Sequence, residues 1–135
     1  GYCPTHARIT SDDIARLRKE FPAAVVMVHP ECRPDVIESA DTALSTGGML
    51  RFAWQTSAKQ VIVGTEVGMI YRLRQENPDK QFIPVSEQAV CPNMKAVTLE
   101  KVLWALEDMT PVITVPEAIR VRALGAVERM LALGR

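Results

Sequence analysis

Apolar residues recur along the chain in two alternating spacings, which predict helices that alternate with strands. Ile14, Leu17 and Phe21 are three or four residues apart, the spacing of one helix face. Thr10 precedes them and provides a hydroxyl that can cap the start of this helix. Residues 23–28 instead form a continuous apolar run, which is typical of a strand buried in a parallel sheet.

The same pattern continues to the end of the chain. It predicts further strands at 42–44, 60–63, 82–85 and 112–115, and further helices at 33–40, 49–56, 67–76, 98–108 and 116–133. Strands separated by helices are joined by right-handed crossovers into a parallel sheet. The predicted fold class is therefore α/β.

Composition and charge exclude several classes of protein. The chain has 135 residues, 47% of them hydrophobic, which suffices for one compact domain. Sixteen basic residues balance sixteen acidic ones, so there is no electrostatic surface for nucleic acid. The run at 23–28 is far shorter than the roughly 20 residues of a membrane span, and no secretory signal opens the chain. We expect a soluble, cytoplasmic protein without nucleic-acid or membrane partners.

Polar side chains follow the predicted strands, at the edge where parallel sheets bind ligands. They are His29 and Glu31, Ser45 and Thr46, Thr65 and Glu66, and Cys91 further along the chain. Ser45 and Thr46 precede two glycines and a predicted helix. They are interpreted either as a helix cap or as an anion site at a helix N-terminus. No GxGxxG or P-loop motif supports nucleotide binding.

The cysteines and histidines leave two interpretations open. Cys3, Cys32 and Cys91 contain no CxxC spacing, so they are either buried free thiols or separate metal ligands. His6 and His29 each lie three residues from a cysteine and are either structural or able to transfer protons. Glu31 is likewise either a solvated charge or an acid/base group. Proline follows both Cys3 and Cys91.

Six segments together resemble the quinolinate synthase family, in that family's order and over nearly the whole chain. They are Gly-Tyr-Cys-Pro-Thr-His (1–6), Val-His-Pro-Glu-Cys (28–32), Ser-Thr-Gly-Gly-Met (45–49), Val-Gly-Thr-Glu-Val-Gly-Met (63–69), Phe-Ile-Pro-Val (82–85) and Cys-Pro-Asn-Met-Lys (91–95). The match covers roughly the C-terminal half of such an enzyme. The chain is therefore expected to be a fragment, as its start at Gly1 also suggests.

The resemblance implies a fold and a domain organisation. The family has three similar α/β domains about a pseudo-threefold axis. Residues 1–92 are then expected to form the third of them, a three-layer α/β/α domain with a short parallel sheet. Residues 93–135 are expected to form C-terminal helices that pack back on the other domains.

The resemblance also implies a reaction and a cofactor. The family's transferases condense iminoaspartate with dihydroxyacetone phosphate to form quinolinate, a precursor of NAD. Each domain provides one cysteine to a 4Fe–4S cluster, whose open iron acts as a Lewis acid. Cys3 matches the ligand of the second domain and Cys91 that of the third, and the first ligand lies in the missing N-terminal half. Cys32 matches no ligand and is interpreted as structural.

The other site residues take their roles from the same resemblance. His6 and Glu31 match catalytic residues, and the substrate-binding residues are His29, Glu31, Ser45 and Thr46. Thr65, Glu66, Asn93 and Met94 lie in family motifs without an individual role. L-Aspartate oxidase is an expected partner that supplies iminoaspartate.

A chain without the N-terminal domains is expected to be inactive alone and to hold no intact cluster. Two other functions stay open. One is a noncatalytic α/β module that binds anions. The other is a zinc or thiol protein that uses Cys3, Cys91 and a histidine.

Overall fold

The computed structural model describes residues 3–134 and divides them into two compact units. The first ends at Met94 and contains the sheet, and the second begins at Lys95 and is helical. The Gly-Tyr pair that opens the first family motif lies outside the described residues.

The first unit alternates helices and strands. Its strands are β1 (Val25–Val28), β2 (Thr42–Ala43), β3 (Gln60–Gly64) and β4 (Gln81–Pro84). Its helices are a 3-10 turn at His6–Arg8, α1 (Ser11–Glu20), α2 (Pro34–Glu38), α3 (Thr46–Gln55) and α4 (Gly68–Glu76). A short helix α5 (Pro92–Lys95) follows, and then α6 (Leu99–Asp108) and α7 (Glu117–Leu133). The strands pair in parallel in the order β2-β1-β3-β4, which confirms the α/β fold class.

Side chains alternate between the two faces of the sheet because successive residues of a strand point in opposite directions. Val26 and Val28 of β1 belong to the core cluster shared with α1 and α2. Met27, between them, belongs to the cluster shared with α3 and α4. The sheet is thus the middle of three layers, as expected for an α/β/α domain.

Local capping explains where two helices begin. The Thr10 hydroxyl accepts a hydrogen bond from the N–H of Asp13 at 3.2 Å. The Asp13 carboxylate accepts one from the N–H of Thr10 at 3.3 Å, so α1 begins with a capping box. Ser45 accepts a hydrogen bond from the N–H of Gly48 at 3.2 Å. Helix α3 therefore begins at Thr46, three residues before the predicted start.

The strand predicted at 112–115 is wrong. Within the described chain, residues 109–116 form neither strand nor helix. Val112 and Ile113 are exposed, at 75% and 82% of their surface. A strand requires a neighbouring strand to accept and donate its backbone hydrogen bonds, and no described strand pairs with this segment. An apolar run alone was therefore insufficient to predict a strand. Helix α5, in turn, was not predicted.

The second unit contains α6 and α7. The Thr98 hydroxyl caps α6 by accepting a hydrogen bond from the N–H of Lys101 at 3.4 Å. Large apolar side chains of both helices are exposed, among them Leu103 and Trp104 of α6 and Leu131 of α7. In the described chain, neither this unit nor the first has a helix with the length and apolar character to cross a membrane.

Gly64 is required where β1 and β3 approach each other, and its replacement by alanine is expected to destabilise the protein. Gly64 pairs with Val28 in the sheet. A Cβ atom on Gly64 would lie 2.7 Å from Val28 Cγ1 and 3.2 Å from Val28 Cβ. Val28 is fully buried, so it has little room to move. We expect Gly64→Ala to lower the free energy of unfolding by about 1–3 kcal/mol, measured by urea denaturation.

Gly47→Ala is the matched control for this substitution. Its Cβ would meet only Arg51 Nη1, at 3.7 Å, at the end of a flexible side chain. Because Gly47 lies in α3, alanine is expected to raise stability by up to about 1 kcal/mol. Equal unfolding midpoints for the two variants would contradict the predicted overlap with Val28.

Candidate functional site

The candidate site lies where the order of the strands changes direction. From β1 the chain crosses to β2 on one side, and it then returns to β3 on the other side of β1. The connections that leave the carboxyl ends of β1 and β3 therefore run to opposite sides of the sheet, and open α/β sheets bind ligands at such a point. A cavity of about 340 Å³ opens there. It is lined by His6, His29, Glu31, Thr46, Thr65, Glu66, Gly68, Met69, Arg72 and Met94.

The His6 ring is held on two sides. Its Nε2 lies 2.9 Å from the hydroxyl of Thr65, in a buried contact between residues that are 59 positions apart in the sequence. Its face stacks on the ring of His29, with centroids 4.4 Å apart and planes 7° from parallel. The 3-10 turn that begins at His6 and the residue that follows β3, Thr65, thus position the His6 imidazole in the cavity wall.

Glu31 faces both imidazoles. Its Oε2 lies 3.3 Å from Nδ1 of His6 and 3.8 Å from Nδ1 of His29. The backbone N–H of Glu31 donates a hydrogen bond to Nδ1 of His29 at 3.2 Å. A neutral His29 therefore carries its proton on Nε2. The structure brings together the three residues that the sequence proposed for proton transfer and substrate contact.

Burial and the neighbouring imidazole of His29 hold the pKa of His6 below its ordinary value, although the Glu31 carboxylate acts in the opposite direction. The ring of His6 is consequently neutral at pH 7. Neutral imidazole can accept a proton, and the carboxylate beside it can stabilise the resulting cation. The pair can therefore take up and return one proton next to a bound molecule.

The two hydroxyls predicted for substrate binding occupy different positions. Thr46 lines the cavity at the first residue of α3. Ser45 accepts the capping hydrogen bond from Gly48, so its hydroxyl oxygen is engaged in the helix start. Both residues are exposed. The N-terminus of α3 opens beside them, and N–H groups at a helix N-terminus attract anions.

Glu66 has a role that sequence reasoning missed. Its Oε2 accepts a hydrogen bond from the N–H of Gly68 at 2.7 Å, and its Oε1 accepts one from the N–H of Cys91 at 3.3 Å. Glu66 therefore ties the Cys91 loop to the end of β3. The sequence placed Glu66 shortly after a buried strand and within a family motif, but neither signal indicated this contact. Arg72, also not foreseen, lines the cavity and is paired with Glu76 at 2.7 Å.

The Cys91 thiol is half-buried and has donors around it. The backbone N–H of Met94 holds its pKa below the ordinary value of a thiol. The Thr5 hydroxyl and the N–H of Asn93 assist, against burial and the charge of Glu66. Hydrogen bonds to sulfur stabilise the thiolate, which is the form that binds metals. The contact with Thr5 also brings the Cys91 loop to the segment that carries Cys3.

The other two thiols differ from each other. Cys3 is half-buried. Its Sγ, a ring nitrogen of His6 and a carboxylate oxygen of Glu31 all lie within 4.8 Å of one another. Cys32 is buried and donates a hydrogen bond to the carbonyl of Gly64 at 3.5 Å. Burial raises the pKa of Cys32 to about 11, so it stays a thiol. Two thiols thus lie near the site, and one is enclosed in the core.

Comparisons with known proteins agree with one another. The profile of the family described as quinolinate synthetase A protein matches residues 1–132. The quinolinate synthase of Dehalococcoides mccartyi (strain CBDB1) is 64% identical over 131 residues, which cover 97% of this chain and 43% of that protein. The quinolinate synthase of Thermodesulfovibrio yellowstonii is 56% identical over 98% of this chain and 44% of its own length.

A more distant relative is similar over the same extent. Quinolinate synthase 1 of Methanosarcina acetivorans is 48% identical over 133 residues, 98% of this chain and 44% of that protein. The chain thus spans less than half the length of the curated relatives that it matches.

Proposed function

Because the chain belongs to the quinolinate synthase family, we propose that it is the third α/β domain, with its C-terminal helices, of a quinolinate-forming transferase. The complete enzyme condenses iminoaspartate with dihydroxyacetone phosphate and serves NAD biosynthesis. The missing N-terminal domains supply the remainder of the active site. L-Aspartate oxidase supplies iminoaspartate, and the location is the cytoplasm, where free thiols such as these persist.

One observation carries this proposal: His6, His29 and Glu31 converge on one cavity at the switch point of the sheet. Forming an aromatic ring from these two substrates requires loss of phosphate and water, and each loss needs a proton to move. Glu31, exposed at the cavity, donates and accepts these protons. Neutral His6 lies 3.3 Å from it and shares the proton between steps.

Substrate binding is assigned to neutral donors. Both substrates carry more than one negative charge, and the first unit offers them the Thr46 hydroxyl, the N-terminus of α3 and His29 Nε2–H. Ser45 contributes by starting that helix where its N–H groups point outward. Arg72 is the cation in the cavity wall, and its charge is partly neutralised by Glu76.

The thiols present fit a 4Fe–4S cluster in their chemistry. Clusters are held by thiolates, and Cys91 is favoured as a thiolate, whereas Cys32 is kept protonated and enclosed. Cys3 and Cys91 would hold the cluster, together with a third cysteine from the missing domains. When bound, the cluster supplies an open iron that acts as a Lewis acid toward a leaving hydroxyl.

A chimera tests the proposal. In the Dehalococcoides mccartyi enzyme, the segment that this chain matches is replaced by the chain itself. The chimera is produced anaerobically and reconstituted with iron and sulfide. We expect it to form quinolinate, measured by chromatography, and to support growth of a bacterial strain that lacks its own quinolinate synthase. The 135-residue chain alone, as the negative control, is expected to form none.

A folded chimera that binds dihydroxyacetone phosphate but forms no quinolinate would contradict the proposal and favour an anion-binding module. The unaltered Dehalococcoides mccartyi enzyme, assayed in parallel, establishes that the conditions permit turnover. A chimera that assembles no cluster while that enzyme does would overturn the assignment of the cofactor.

A further inference from the structure

Three different donor atoms converge beside the cavity. Cys3 Sγ, a ring nitrogen of His6 and a carboxylate oxygen of Glu31 all lie within 4.8 Å of one another. Sulfur, imidazole nitrogen and carboxylate oxygen are the ligands that zinc accepts in proteins. Three protein ligands with one open position are typical of zinc sites that keep a bound water.

The environment of His6 is suited to a bound cation. The residue is only 8% exposed, and its Nδ1 is buried beside the Glu31 carboxylate without the alignment of a hydrogen bond. That atom faces Glu31 Oε2 at 3.3 Å. Its other nitrogen, Nε2, is engaged with the Thr65 hydroxyl at 2.9 Å. Imidazoles that bind metals are commonly oriented in this way, with one nitrogen on a polar neighbour and the other toward the ion.

We infer that the cluster-free protein binds one zinc ion through Cys3, His6 and Glu31. The neighbouring donors are engaged elsewhere. His29 Nδ1 accepts the N–H of Glu31. The Cys91 thiol is held by Met94 and Thr5, and Cys32 donates to a backbone carbonyl in the core.

This site has a consequence for the proposed enzyme, and that consequence, unlike the site itself, rests on the proposed function. Cys3 is needed both for zinc and for the 4Fe–4S cluster. A zinc ion on Cys3, His6 and Glu31 therefore excludes the cluster and also occupies the proton-transfer pair. Zinc and the cluster therefore compete for the thiolate of Cys3.

The test uses the reduced, metal-free 135-residue chain under anaerobic conditions. Cobalt(II) is titrated first as a spectroscopic substitute, and zinc affinity is then measured by competition with a chromophoric chelator. We expect one ion per chain and a thiolate-to-cobalt charge-transfer band in the near ultraviolet. Cys3→Ser is expected to abolish that band. Glu31→Gln and Thr65→Val are each expected to weaken zinc binding by about 10- to 100-fold.

Cys91→Ser and Cys32→Ser are the matched controls and are expected to keep the band and the affinity. Full binding by Glu31→Gln would overturn the inference. Loss of binding in Cys91→Ser would also overturn it and assign the metal to a site of two cysteines. Circular dichroism checks that each variant is folded. If Cys3→Ser is not, Glu31→Gln decides, because the Glu31 side chain is 42% exposed and is expected to tolerate the change.

The failure of this inference can be distinguished from failure of the proposed function. If the chimera forms quinolinate but the chain binds no zinc, only the zinc site is rejected. If the chain binds zinc through these three residues but the chimera forms neither cluster nor quinolinate, only the proposed enzyme is rejected.

Discussion

Replacement of Cys3 or Cys91 by alanine in the chimera is expected to remove the 4Fe–4S cluster and nearly all quinolinate formation. Both thiols lie near the cavity, and hydrogen bonds from Met94, Thr5 and Asn93 favour the thiolate of Cys91. Even the loss of a residue that only orients a metal ligand reduces affinity or activity by 10- to 100-fold. Loss of the ligand itself is therefore expected to leave less than about one hundredth of the activity.

Iron and sulfide content, the visible charge-transfer absorption and the rate of quinolinate formation measure this effect. Cys32→Ala is the matched control. Its thiol is enclosed in the core and kept protonated, with a pKa of about 11. This variant is expected to retain the cluster and the activity, with some loss of stability from the small cavity that it leaves. Equal activity and equal iron content in all three variants would reject the assignment of Cys3 and Cys91.

Glu31→Gln is expected to reduce quinolinate formation by about 10²- to 10⁴-fold, the usual contribution of a general acid or base. Glutamine keeps the size and shape of the side chain but cannot donate and accept the proton that Glu31 shares with His6. Cluster content is expected to stay unchanged, because the substitution leaves Cys3 and Cys91 in place. The rate at saturating substrate and the iron content are the two measurements.

Glu20→Gln is the control for this charge change, since Glu20 is exposed at the end of α1, and α1 leads to the amino end of β1. The separation of kcat from KM distinguishes proton transfer from substrate positioning. Loss of proton transfer is expected to lower kcat in Glu31→Gln and to leave KM nearly unchanged, whereas Glu20→Gln is expected to change neither. A raised KM with an unchanged kcat in Glu31→Gln would assign Glu31 to substrate positioning.

Much of the first unit could be predicted from local signals. Thr10 and Ser45 marked helix starts because their hydroxyls bond to N–H groups three residues later. The buried strands were identified from continuous apolar runs, and His29, Glu31, Thr65 and Glu66 were placed at one edge because parallel strands end there. Residues 112–115 had the same apolar signal but no neighbouring strand, so the prediction failed there.

The candidate site divides in the same way. Sequence alone could not assign Glu66 a role, because its hydrogen bond to the Cys91 N–H joins residues 25 positions apart. Sequence alone also could not decide whether the two histidines are structural or functional. In the structure, the contacts of His6 with Thr65 and Glu31 place its ring in the wall of the cavity. The ordered motifs indicated the family without any of these contacts.

What the sequence by itself determined was therefore the family, the alternation of elements and the residues at strand ends. Each of these depends on interactions between residues close in the chain, or on the identity of residues in order. Only the tertiary structure decided which thiol is enclosed and which two are half-buried near the cavity. Cys32 follows His29 by three residues, just as His6 follows Cys3, yet only Cys32 packs against Gly64 in the core. Burial is decided by residues distant in sequence that meet when the sheet assembles, and no local pattern records those contacts.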